Sequence, residues 1–220
     1  MIPWGDAAGD GARLRMAAAR AALARLVAAT PGFETRPAPD VVVAAGGAWS
    51  VAPGPAVALA LADVLRRPGV RALGLDHARL LAPLGAVEDE DDRHRMIADL
   101  RDDLLVPLGS VVMPGGMRTG RPAGRVAVQA AGGPVELDLI PGGLELVDLP
   151  PGERAVLDLR FRDPVDLGQR ARHFAVEVAG GLGGVLVDLR DVPLRLPERQ
   201  DPRRELLATW EAALWAGTDA

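Results

Sequence analysis

The chain contains no cysteine, lysine, asparagine or tyrosine, and only 3% of its 220 residues are aromatic. Without cysteine there are no disulfides, no thiolate metal sites and no cysteine nucleophile. Without lysine there is no Schiff-base chemistry and no Walker-type phosphate loop, whose lysine reaches the β- and γ-phosphates. All 25 basic residues are arginine, a bias that fits a GC-rich coding sequence. With so few rings, the core has to be assembled from Leu, Val and Ala. No apolar run approaches the ~20 residues of a membrane helix. Asp6, Asp10, Arg13 and Arg15 interrupt any signal-peptide core. These absences describe a soluble, cytoplasmic protein without a membrane partner. A net charge of −5 and the lack of a basic stripe interleaved with aromatics argue against nucleic-acid binding.

What is present is 49% hydrophobic, ordinary for a globular chain, and long enough for one large domain or two small ones. Residues 10–30 read as a helix, with Met16, Leu23, Leu26 and Val27 at helical spacing before a Pro31-Gly32 stop. A strand over 41–45, a helix over about 55–66 and a strand over 70–75 follow. Residues 88–104 form an acidic helix whose buried stripe is Met96, Ile97, Leu100 and Leu104. Its Glu88 to Asp92 cluster sits favourably at the positive end of the helix dipole. From Pro107 short runs separated by Gly/Pro turns predict strands at 110–113, 125–130, 135–140, 144–148, 155–162, 173–178 and 184–189. Asp201, as N-cap before Pro202, opens a closing helix that packs through Leu206, Leu207, Trp210 and Leu214. The expected organisation is an α/β region over 1–105, a mostly-β antiparallel barrel or sandwich over 106–198, and a C-terminal helix over 199–220.

Few residues suggest chemistry. The run Asp40-Val-Val-Val-Ala-Ala-Gly-Gly-Ala48 is a short apolar strand stopped by two glycines and followed by a helix. That order brings bare backbone close to a ligand, commonly a nucleotide, and sets helix amides where negative charge can lie. Trp49 behind it reads as core or lid in preference to a stacking platform. The three histidines, His77, His94 and His173, are far apart; Asp76-His77 ends a predicted strand, where ligand sites of α/β folds gather. Neither a Gly-x-Ser-x-Gly elbow nor a His-Glu-x-x-His helix occurs. Met113-Pro-Gly-Gly-Met-Arg118 is either a hairpin connection or a partner-contact loop. The glycine-rich run 180–184 leads into a strand, and reads as a turn.

Several segments, in order, resemble the C-terminal part of the glutamate mutase L family, ATPase-like accessory proteins of B12-dependent mutases. They are the 40–48 run, Leu75-Asp-His-Ala-Arg-Leu-Leu-Ala-Pro-Leu-Gly85, Pro107-Leu-Gly-Ser-Val-Val-Met-Pro114, Pro150-Pro-Gly-Glu153, Gly183-Gly-Val-Leu-Val-Asp188 and Pro193-Leu-Arg-Leu-Pro197. The resemblance implies part of an actin/Hsp70/sugar-kinase-like ATPase lobe, with Gly46, Gly47 and Ala48 against the adenine and ribose of ATP. It also implies a B12-dependent mutase, or a missing N-terminal ATPase lobe, as partner. The superfamily's Asp-x-Gly-x-Thr/Ser phosphate hairpin is absent from this sequence, so the chain is expected to contact nucleotide as half a site, inactive alone and without a metal of its own. The alternatives are an enzyme using Asp76, His77 and an arginine such as Arg118 between the two regions, or a structural interaction domain without ligand.

Overall fold

Glycine and proline end most elements where the sequence places them. The structure, a computed structural model, describes residues 10–33, 36–50, 52–117, 122–130, 133–190, 192 and 194–215. The elements are α1 (Asp10–Ala29), β1 (Val41–Ala45), α2 (Gly54–Val64), β2 (Gly69–Asp76), α3 (Leu81–Gly85), α4 (Glu90–Asp99), β3 (Val106–Met113), β4 (Gly124–Ala130), β5 (Gly133–Leu139), β6 (Leu144–Val147), β7 (Arg154–Asp166), β8 (Arg170–Ala179), β9 (Val185–Asp188) and α5 (Gln200–Trp215).

The strands form two sheets, one mixed in the order β1-β2-β3-β9-β6 and one antiparallel in the order β5-β4-β7-β8. In the first, β1 runs parallel to β2 and β3 parallel to β9, while β2–β3 and β9–β6 are antiparallel. The helices α1, α2 and α5 cover one face of this sheet and the antiparallel sheet covers the other, giving three layers. Side-chain alternation shows the layering directly. Val111 and Met113 on β3 and Leu186 on β9 join Val57, Leu61, Trp210 and Leu214 on the helix side. Val112, Val185 and Val187 point the opposite way, onto Val126, Leu157, Leu159 and Phe174 of the second sheet. A strand buried on both faces needs an unbroken apolar run, which is what 185–187 supplies.

The mixed sheet runs through residue 105 without interruption, because β3 from the β-rich part pairs with β2 from the α/β part, and β9 and β6 continue the sheet beyond it. Among the described residues the strands close no barrel; they stack as two sheets. Four local expectations are corrected. The α4 stripe is not buried: Met96 and Ile97 are exposed and Leu100 and Leu104 only half-buried, and α4, which touches α3, has no buried residue. On α1, Leu26 faces solvent while Met16 and Leu23 make the contact with the core. On α5, Leu207 is exposed beside buried Trp210 and Leu214, and the helix starts at Gln200, so Asp201 lies inside its first turn. Val135, on the outermost strand of the second sheet, is also exposed.

Five glycines allow backbone to meet backbone where α2, β3 and the turn before β9 converge. A side chain at Gly109 (φ +117°) would stand 1.8 Å from the Gly184 carbonyl oxygen, and one at Gly54 would stand 2.3 Å from that of Leu182. Gly181 and Gly183 meet the backbone of β3 equally closely. The run 180–184 is indeed a turn, closed by Gly184 N–H donating to the Gly181 carbonyl and tied to β3 through Gly183 N–H to the Leu108 carbonyl at 2.7 Å. A β-carbon at Gly54 would push α2 off the 182–183 backbone, and one at Gly109, Gly181 or Gly184 would force apart the backbone of the sheet and its turn.

Candidate functional site

Two of the sequence candidates, the Gly46-Gly47 turn and Asp76-His77, share one rim. Because β1 and β2 are parallel and Ala45 pairs with Asp76, the Gly46-Gly47 turn and the Asp76-His77 turn lie side by side at the carboxyl ends of these strands. This is where ligands bind in open α/β sheets. Gly46 takes φ +109°, a conformation that costs a side-chain-bearing residue, and nothing lies within 4 Å of where its β-carbon would be. The turn is fixed by Trp49 N–H donating to the Gly46 carbonyl at 3.1 Å and Ser50 Oγ to that of Gly47 at 3.3 Å. Gly46 is exposed; Gly47 and Ala48 are half-buried. Trp49 packs partly into the helix-side core, as a core residue should.

Across the rim, Asp76 is buried, and its carboxylate accepts Leu80 N–H at 2.7 Å and Leu81 N–H at 3.2 Å. It thereby holds the turn leading into α3, and both its oxygens are engaged by backbone amides. Arg79 occupies the left-handed region at φ 60° and sets its Nη1 3.8 Å from the position a Gly47 β-carbon would take. The guanidinium thus overlooks the bare glycine turn. His77 is exposed on the same loop, and Arg118 lies outside the described residues. The first turn of α2, expected to offer amides to an anion, is packed at Gly54 against the Leu182-Gly183 backbone. The cation of this rim is therefore Arg79, which no strand-turn-helix pattern in the sequence could identify.

A second cluster was missed altogether. Asp188 at the end of β9 accepts from Arg190 Nε at 2.9 Å and Nη2 at 2.7 Å, and from Arg66 Nη1 at 2.8 Å. Arg190 Nη2 also reaches Asp63 Oδ1 at 2.7 Å, an ion-pair distance but off the hydrogen-bond axis, and Asp63 Oδ2 meets Arg20 Nη2 at 2.7 Å. The Arg190 guanidinium lies 4.8 Å from the Trp210 ring centre, while Trp210 Nε1–H donates to the Gly142 carbonyl at 2.8 Å. Burial alone would raise the Asp188 carboxyl, but the hydrogen bond and charge of Arg190, with Arg66, hold it below the ordinary carboxylate range. Burial likewise works against the Arg190 cation, and Asp188 and Asp63 more than offset it. Its only trace in the sequence is Asp188-Leu-Arg190 at the end of an apolar strand. The network joins α1, α2, β9 and α5, which marks it as a structural tie.

Two clefts lie elsewhere. One of about 740 Å³ runs between α1 and α2, lined by Ala17, Ala21, Ala24, Phe33, Arg20 and Asp63 among others. One of about 440 Å³ sits beside Gly115, Gly116 and Asp166. Neither is lined by residues 46–48. On the outer face of the second sheet, Asp158 lies between Arg160 and His173 Nε2 at 2.7 and 2.6 Å, and its hydrogen bond with Arg160 leads the groups holding its carboxyl low. Among the described residues no group of His, Asp and Glu is placed to hold a metal ion, and no helix is long and apolar enough to cross a membrane.

The fold defines a three-layer protein of mixed helix and sheet, with an open glycine turn at the end of its parallel strand pair. No family model, curated protein or solved structure matches the chain.

Proposed function

We propose that this is a non-catalytic, cytoplasmic binding module, the C-terminal part of a glutamate-mutase-L-like ATPase related to the actin/Hsp70/sugar-kinase superfamily. It contributes half of an ATP site through Gly46, Gly47 and Ala48, and its partner is a B12-dependent mutase, to which it is an accessory, or a missing N-terminal ATPase lobe. One observation carries the nucleotide reading: the Gly46-Gly47 turn is open at the carboxyl end of a parallel strand pair, with the Arg79 guanidinium beside it. Bare backbone admits a flat nucleoside, and a lone arginine meets a phosphate through charge-assisted hydrogen bonds.

The chain holds a nucleotide from one side only. Phosphoryl transfer needs metal-bound carboxylates and a positioned nucleophile, and Asp76, the acidic residue nearest the rim, spends its oxygens on the Leu80 and Leu81 amides. The test is isothermal titration and thermal melting with ATP and magnesium, with phosphate release followed in parallel. Expected are millimolar-range binding, a melting shift of the size that preferential binding to the native state produces, and no phosphate release by the chain alone. Loss of the shift in Arg79→Ala would place the phosphates at the rim. No binding at millimolar ATP would sink the nucleotide reading, and steady hydrolysis by the isolated chain would sink the non-catalytic one.

A further inference from the structure

The two sheets leave four outermost strands among the described residues, β1 and β6 in the first and β5 and β8 in the second. Such edges invite pairing with another chain, and proteins blunt them with charge, proline, short length or cover. β5 carries Pro134, Glu136 and Asp138; β8 carries Arg170, Arg172 and Glu177. β6 is four residues long, includes Glu145 and has α5 packed against it. β1, five residues long, carries no charge or proline, and among the described residues no strand pairs along its outer edge: it reads Val-Val-Val-Ala-Ala, and its pairing with β2 runs without a register shift.

Its outer backbone is also aligned for pairing. Ala72 N–H donates to the Asp40 carbonyl at 2.9 Å. By strand alternation, Val42 and Ala44 turn their amide and carbonyl groups toward β2, and Val41, Val43 and Ala45 turn theirs outward. Val41 and Val43 are 59% and 36% exposed, on the stretch of sheet beyond the cover of the second sheet.

We propose that β1 is a self-association strand. A second copy adds its own β1 antiparallel across a two-fold axis at Val43, which extends the mixed sheet through both molecules. Val43 faces its counterpart, Val41 faces Ala45 of the second copy, and about six backbone hydrogen bonds form across the three facing pairs. Charge selects the second copy as the occupant. In this register exposed Asp40 lies opposite Gly46 of the other molecule, where no atom lies within 4 Å of the missing side chain. Arg79 stands beside the adjoining Gly47, so each end of the junction sets an aspartate against an arginine. A parallel pairing of two copies would instead set like charges together. The contact is small, at the weak end of specific interfaces, and a dissociation constant of about 10–100 µM follows.

The test is sedimentation equilibrium of the whole chain over about 5–500 µM, bracketing that affinity, without nucleotide. A monomer–dimer equilibrium is expected, abolished by Val43→Lys, which sets two like charges face to face, with the circular dichroism spectrum unchanged. Asp40→Arg and Arg79→Asp each weaken the dimer about tenfold, and the double swap restores it. A chain that stays monomeric throughout, a dimer indifferent to Val43→Lys, or single swaps that the double swap fails to rescue would each overturn the proposal. So would a monomer that pairs only with an unrelated strand peptide. The inference does not depend on the nucleotide reading: Val43→Lys leaves residues 46–48 intact, and ATP titration of that monomer separates the two outcomes.

Discussion

The buried charges show how much a single side chain decides here. Asp188 is fully enclosed and answers two guanidiniums, and Arg190 is enclosed with it. Removing one member leaves the others buried and uncompensated, so Asp188→Asn is expected to cost about 3–5 kcal/mol in urea unfolding. Replacing Asp63, Arg66, Asp188 and Arg190 together by apolar residues of similar volume should cost far less, because the desolvation of all four charges disappears with their attraction. The pH dependence follows from direction. The folded-state Asp188 carboxyl is held low, so its contribution is complete above the unfolded value near 4 and is lost as pH falls through the lower folded value. Urea midpoints should therefore drop on acidification below pH ~4, with a shallower slope in Asp188→Asn; equal slopes would remove Asp188 from the account. Trp210→Phe, which orphans the Gly142 carbonyl and takes the indole from beneath Arg190, is expected to cost about 1–3 kcal/mol.

At the scale of elements, the glycines separate into two kinds. Gly109→Ala forces a β-carbon into the Gly184 carbonyl and should prevent folding or cost more than about 3 kcal/mol, whereas Gly46→Ala meets only backbone strain of about 1–3 kcal/mol. Thermal melts of the two variants distinguish them; equal losses would mean the junction of α2, β3 and the 180–184 turn is not tight. Local signals made much of this legible in advance. Period-two runs and Gly/Pro stops located every strand from β1 to β9, because turn chemistry acts within a few residues. What stayed hidden depends on partners distant in sequence. Nothing in Met96 or Ile97 reveals that they stay exposed, and nothing in residues 106–113 reveals that they pair with β2 and β9. The candidate rim was legible in Gly46 and Gly47, but Arg79 was not, since a left-handed arginine leaves no pattern. A helix without a buried residue should also move: amide exchange along 90–99 is expected to be orders of magnitude faster than along β3 and β9.

The molecule as a whole binds its layers through shared strands. β3 and β9 give one set of side chains to the helix-side core and the other to the core between the sheets. Neither sheet can lose its packing alone, so calorimetry should show a single transition whose calorimetric and van't Hoff enthalpies agree; two resolved transitions would contradict the shared cores. That arrangement also bears on how the protein is made. β9 lies between β3 and β6 in the sheet, yet it leaves the ribosome after every other strand. Until it arrives, the nascent chain carries four of the five strands with an inner one missing, and two rows of open amides and carbonyls wait on either side of the gap. Translation at about 5–20 residues per second leaves that gap open for seconds, which makes the half-synthesised chain, more than the finished one, the natural client of a chaperone.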